Sequence, residues 1–190
     1  MKNIFYIIPF LFLISCSGIK RNFWLNQFEV CCKIEKTLER DGQKLEFKDN
    51  FFEDDYLKLS AEFDIMEGIK LDITNKCGVN SYIYWDKAYY IDERGEKFNI
   101  TISQLLFNEK SELSNISILP PFIDIKVNLI PQNYVYKEKN IWHNKTMLDF
   151  SFHPQEYLFK KTSLNFEYIC GNITLRYLLS FGIVNKYSKD

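Results

Sequence analysis

The chain has 190 residues, enough for one domain, or for one domain with a small appendage. Its 24 Lys and Arg stand against 25 Asp and Glu, a net charge of -1 with no long run of either sign, so the basic stripe a nucleic-acid binder needs is missing. Hydrophobic residues make up 46% and aromatics 17%, with only 7 Gly and 5 Pro, which excludes disordered, collagen-like and low-complexity classes and leaves material for a packed core.

The first element is the segment MKNIFYIIPFLFLISCSG, in which Lys2 precedes an apolar stretch from Ile4 to Ile14. That stretch is too short for a bilayer core, which takes about 20 helical residues, and it predicts a cleaved secretion signal. Its end, Leu13-Ile14-Ser15-Cys16, resembles the lipobox of bacterial lipoproteins. The resemblance implies that residues 1–15 are removed and that the Cys16 thiol carries diacylglycerol, placing the chain on a membrane of the cell envelope. Ile14 is larger than the small residue often found two positions before the Cys. Ser17, where an Asp often marks inner-membrane retention, implies the outer membrane in a host that has one. Residues 16–25 then form a tether, and 26–190 are expected to be a single domain.

From residue 28 onward the apolar period is two, the mark of half-buried strands. Phe28, Val30, Cys32 and Ile34 alternate with Glu29, Cys31, Lys33 and Glu35. Leu57, Leu59, Ala61, Phe63 and Ile65 do the same, and after Met66-Glu67-Gly68 the pattern returns as Ile69, Leu71 and Ile73, which predicts a hairpin. Further strands are expected around Tyr82–Trp85, Phe98–Ile102, Ile123–Leu129, Met147–Phe152, Leu164–Cys170 and Ile173–Phe181. Turn chemistry separates them, as in Asp92-Glu93-Arg94-Gly95 and Cys170-Gly171-Asn172. Only Ser103–Leu113 reads as a short helix.

Many short strands without intervening helical patterns predict an antiparallel all-β fold, a sandwich or a closed barrel. The run Ile69 to Lys76, then Ile83-Tyr84-Trp85-Asp86-Lys87, then Ile91 to Lys97, is similar to a pattern in bacterial lipoproteins of unassigned role with Ig-like β-sandwich domains. The resemblance covers about thirty residues and implies the sandwich, with Trp85 inward; it carries no catalytic residues. The proline-bracketed stretch from Pro120 to Pro131 is expected to be an edge strand with Ile123, Ile125, Val127 and Leu129 inward.

Once Cys16 is lipidated, Cys31, Cys32, Cys77 and Cys170 remain in a compartment that permits disulfides. Three complete pairings exist. Adjacent strand residues point to opposite faces, which disfavours Cys31–Cys32, and the positions of Cys77 and Cys170 before glycines at strand ends favour their pairing. Cys32, on the apolar face, is expected to be a buried hydrophobe. No metal or cofactor site is expected: Cys-x-x-Cys spacing is absent, and His143 and His153 lie ten residues apart. The acidic run Glu53-Asp54-Asp55 lacks the ligand spacing of a calcium loop. No catalytic residue can be named either, since nucleophile-elbow, P-loop and zincin motifs are all missing.

The aromatic surplus is the remaining functional signal. Tyr82, Tyr84, Tyr89 and Tyr90 are expected to offer a surface for a protein or a glycan, because an exposed Tyr combines a large apolar face with a hydroxyl. The sequence therefore supports a lipid-anchored, non-enzymatic binding or structural domain. The alternative is a secreted hydrolase or inhibitor whose site is assembled from loops without a local motif.

Overall fold

The computed structural model describes residues 32–48, 50–103, 115–139, 141–148 and 154–187. Two compact units are distinguished: a larger one, Ile34–Leu148 with Lys160–Gly182, and a smaller one to which residues 32–33, 154–159 and 183–187 belong. In the smaller unit the amide of Phe159 donates to the Ile183 carbonyl at 2.7 Å, after a 3-10 turn at Pro154–Tyr157. Cys32 is buried.

The described residues are built mostly into strands. The first half of the chain gives β1 (Cys32–Arg40), β2 (Gln43–Leu45), β3 (Phe47–Lys48), β4 (Phe51–Glu53), β5 (Leu57–Asp64), β6 (Gly68–Asn75), β7 (Ser81–Tyr84), β8 (Tyr89–Ile91) and β9 (Lys97–Ile102). The second half gives β10 (Ile116–Leu119), β11 (Asp124–Pro131), β12 (Val135–Glu138), β13 (Ile141–Asn144), β14 (Lys161–Cys170) and β15 (Ile173–Asn185). The main sheet runs β2-β1-β15-β14-β8-β9-β11-β6-β5-β4-β3, with β7 added to β14 and β10 to β7; β12 and β13 form a separate hairpin.

β9 makes the sheet turn. Its first half, Lys97–Asn99, pairs antiparallel with β8, while Ile100–Ile102 pair antiparallel with β11. The two ends of the path, β2 and β3, are joined through Glu46 alone, so the sheet nearly closes on itself like a barrel. At the seam the Lys36 ammonium on β1 donates to the Ala61 carbonyl on β5 at 2.7 Å and stands 5.2 Å from the Phe47 ring.

Period-two alternation explains the longest pairings. β5 and β6 form the expected hairpin, in register from Leu57↔Asn75 to Asp64↔Gly68. Its turn is held by Asp64 Oδ1, which accepts the amides of Met66 at 2.9 Å and Glu67 at 3.0 Å. Gly68 has φ +110°, and a Cβ there would run into the Leu129 carbonyl on β11, so both its conformation and that close approach require glycine. β14 and β15 pair over ten positions, from Lys161↔Gly182 to Cys170↔Ile173. Between these walls lie Trp85, Tyr90, Tyr168, Tyr177, Phe52 and Phe166, all within 1% of complete burial. The Phe166 and Tyr177 rings stack at 5.4 Å, and Trp85 packs 5.7 Å from Phe166.

The all-β, antiparallel expectation holds for the described residues. Three details differ. β11 is not an edge strand: β6 pairs with one side of it and β9 with the other, and its prolines sit before its start and at its last residue, where a missing N–H does little harm. β1 runs on to Arg40, beyond the expected Ile34, while Phe28 and Val30 lie outside the described residues. Met147 and Leu148 are buried but not in a strand, with the Met147 amide on the Ile65 carbonyl at 2.8 Å; 149–153 lie outside the described residues. So does most of the expected helix, 104–113.

Candidate binding face

In β7 the alternation puts Ser81 and Ile83 inside and Tyr82 and Tyr84 outside, and directly opposed residues of antiparallel strands share a face. One row across the outer face therefore reads Ile118 on β10, Tyr82 on β7, Ile169 on β14 and Thr174 on β15. The next row places Ile116 beside Tyr84. A third, further along β14, reads Asn99, Tyr89, Asn165 and Leu178. Tyr82, Tyr84 and Tyr89 are half-buried, and Ile118 is 56% exposed. Lysines sit against two of these rings: the Lys97 ammonium is 3.6 Å from the centre of Tyr89, and Lys87 is 5.0 Å from that of Tyr84.

Tyr90 does not join this surface. It is fully buried, opposite Leu164 on the inner face, because two consecutive strand residues point to opposite sides and Tyr89 takes the outer one. Its ring meets that of Tyr134 edge-on at 6.1 Å. Burial pushes its hydroxyl pKa far above the ordinary tyrosine value. In its place the face gains Ile116, Ile118 and Ile169; the Ile-Ser-Ile-Leu alternation before Pro120 was the sequence signal for β10.

The face rests on a fixed base. Asn115, just before β10, accepts the Ile102 amide at 3.3 Å through Oδ1 and donates to the Ile100 carbonyl at 3.2 Å through Nδ2, while its carbonyl takes the Trp85 amide at 2.8 Å. Beneath β7, the Tyr168 hydroxyl lies 2.7 Å from Asn75 Oδ1 and 2.9 Å from Ser81 Oγ. Asn75 Nδ2 donates to the Val79 and Leu119 carbonyls, both at 2.8 Å. Beside that network a disulfide joins Cys77 to Cys170, with Cα atoms 6.7 Å apart.

Other polar groups hold the fold in place. Asp54 is bound on both oxygens: Oδ1 accepts the amides of Tyr56 at 2.7 Å and Leu57 at 2.9 Å, and Oδ2 accepts Arg40 Nη1 at 3.0 Å and the Tyr177 hydroxyl at 2.8 Å. Glu53 is paired with Lys76 at 2.8 Å. These carboxylates have structural partners, and no group of three or more His, Cys, Asp or Glu side chains suited to a metal occurs among the described residues. His143 stacks on Tyr136 at 5.2 Å; His153 lies outside the described residues, as do Cys16 and Cys31. Across β5, β6 and β11 an open groove of about 390 Å³ is lined by Ser60, Glu62, Lys70, Asp72, Lys126 and Asn128, charges of both signs on one outer face. No described helix is long and apolar enough to cross a membrane. No family model, curated protein or solved structure matches this chain.

Proposed function

We propose that the protein is a lipid-anchored, non-enzymatic binding domain of the bacterial cell envelope, an Ig-like β-sandwich in which β9 serves both sheets. After removal of residues 1–15, acyl chains on Cys16 hold it to the membrane, the outer one in a diderm host. The domain grips a protein partner with its outer tyrosine face. The observation that supports this most directly is the row Ile118, Tyr82, Ile169, with Ile116 and Tyr84 beside it: apolar and aromatic side chains half-open to solvent on a rigid sheet. Rigid aromatic anchors lose little entropy on binding and dominate the energetics of protein interfaces.

The test is a photo-crosslinking amino acid placed at Tyr82 or Ile118 in living cells, with Lys126 on the β11 outer face as the control. A discrete adduct from 82 and 118 that is missing from 126, and lost in a Tyr84→Ser background, is the expected result. No adduct, or equal labelling from 126, overturns the assignment of this face.

A further inference from the structure

The turn between β8 and β9 is built around two neighbouring carboxylates that have opposite fates. Asp92 Oδ1 accepts the amides of Arg94 at 2.9 Å and Glu96 at 2.8 Å, the Asp92 amide donates to the Glu96 carbonyl at 3.0 Å, and Gly95 closes the turn at φ +84°. Asp92 thus does the work of an ordinary turn acid, with its lone pairs on backbone N–H groups. Glu93 points the other way. Its side chain is only 5% exposed, and its Oε2 is buried without a hydrogen-bond partner.

A buried carboxylate usually persists as an ion only where hydrogen bonds or a close cation replace water. Arg94 Nε lies 3.8 Å from Glu93 Oε1, on a side chain that is itself 58% exposed. Lys160, ahead of β14, adds a weaker attraction, and Asp92 on the same turn repels. From the remaining packed elements Glu93 faces phenols: Tyr134 of the 3-10 turn Gln132–Tyr134, and the buried Tyr90 of β8. Glu96 also belongs to the turn, but its side chain is exposed. The site offers a home to a neutral acid and a poor one to an anion.

We propose that Glu93 is a proton-operated latch on the β8–β9 turn, seated inside while it carries its proton and drawn out to water, with the turn 92–96, when it ionises. Burial, joined by the charge of Asp92, raises its pKa above 4.5, the ordinary glutamate value, and outweighs the opposing backbone hydrogen bond at Glu93 and the charges of Arg94 and Lys160. Its seating is therefore fully favourable below that ordinary value and weakens as pH rises toward the raised one. Across that window the open form gains up to about tenfold per pH unit, and above it the gain levels off. The position gives the device reach, since β9 is the strand that passes from one part of the sheet to the other.

The experiment is amide hydrogen exchange of the full chain in detergent, comparing wild type with Glu93→Gln at matched pH, so that the intrinsic pH dependence of exchange cancels. The amides of Arg94, Gly95 and Glu96, all hydrogen-bonded in the closed turn, are the reporters. The expected result is equal protection in the two proteins at acidic pH and progressively faster exchange of the wild type as pH rises, while Glu96→Gln leaves the wild-type profile unchanged. A wild-type to Glu93→Gln ratio that stays constant with pH overturns the latch, and so does a profile abolished by Glu96→Gln. Should Glu93→Gln not fold, carboxyl carbon shifts in the wild type decide: a Glu93 midpoint above the ordinary glutamate range supports the latch, and one within it refutes it.

Discussion

The indole Nε1 of Trp85 lies 2.8 Å from Ser117 Oγ, so the largest side chain in the core is tied through its one polar atom to β10. Both groups are buried, and the indole N–H finds its acceptor in the serine oxygen. Ser117→Ala is therefore expected to cost about 1–3 kcal/mol, the penalty for leaving a buried N–H unpaired. Trp85→Ala removes the ring itself and is expected to cost about 3–5 kcal/mol. Denaturant unfolding of both, with Ser117→Ala repeated in a Trp85→Phe background where no N–H remains, measures the pair. An unchanged cost of Ser117→Ala in that background would refute the hydrogen bond as its cause.

Asp54 ties β1, the β4–β5 turn and β15 together, because Arg40 and Tyr177 reach it from the two strands while its other oxygen holds the turn's own amides. Asp54→Ala leaves the Arg40 guanidinium and the Tyr177 hydroxyl without their shared acceptor, an expected loss of about 3–5 kcal/mol. A pH effect accompanies it. Burial, and then the charge of Asp54, raise the Tyr177 hydroxyl far above its ordinary value of 10.0. Folding therefore favours the protonated phenol, a contribution complete below pH 10.0 and lost progressively as pH rises beyond it. Tyr177→Phe should show a shallower alkaline fall in stability than the wild type. An identical slope would remove Tyr177 from the account.

Where strands are long and one face is buried, the sequence made the fold readable. β5 buries every second residue from Leu57 to Ala61, β6 from Ile69 to Asn75, β14 from Thr162 to Tyr168 and β15 from Leu175 to Leu179, and a one-residue slip would turn these side chains to the wrong face. β2, β3, β4 and β8 have two or three residues, less than two full periods, so no pattern could announce them. The tyrosine face was legible in β7, whose alternation sorts Tyr82 and Tyr84 from Ile83. It failed at Tyr89-Tyr90, where two identical residues must divide between the faces and only the register against Asn165 and Leu164 decides which goes in. Proline signals misled at β11, because prolines at both ends of a strand read the same whether it lies at an edge or inside.

The seam makes its own prediction. β5 is paired along its whole length with β6, but β4 covers only Lys58 and Leu59 on the other side. The Lys36 ammonium fills part of that missing edge by donating to Ala61, at the cost of desolvation, which lowers its pKa. Lys36→Met keeps the apolar stem and removes the donor. The expected result is a loss of about 1–2 kcal/mol, with faster amide exchange in β5, whereas Lys36→Arg retains most of both. Equal behaviour of the Met and Arg variants would show that the stem, not the hydrogen bond, holds the seam.

The anchor is tested independently of the fold. Two or more acyl chains bind a membrane far more durably than one, since each buried methylene contributes about 0.8 kcal/mol. Cys16→Ala is expected to abolish metabolic labelling with a radioactive or clickable fatty acid and to move the protein from the detergent phase to the aqueous phase. Persistent labelling or unchanged partitioning would reject lipidation at Cys16.

The disulfide closes a loop of 93 residues, from the end of β6 to the end of β14. In the chain-entropy account a loop of that size stabilises the fold by about 4–5 kcal/mol, mostly by restricting the unfolded chain. Cys77→Ser with Cys170→Ser should lower unfolding stability by about that amount, and reduction of the wild type should bring it to the same level. The packing around the bridge adds a second expectation. The Cys77 amide is held by Asn75 Oδ1 at 2.8 Å, and Asn75 is also bound to Tyr168, so the strand ends keep their geometry when the sulfur atoms are replaced. The double Ser variant is therefore expected to fold to the same β-rich circular dichroism spectrum at lower stability. Non-reducing peptide mapping of protein exported to an oxidising compartment should recover Cys77 linked to Cys170. Recovery of both as alkylated thiols, or of either one joined to Cys31 or Cys32, would overturn the pairing.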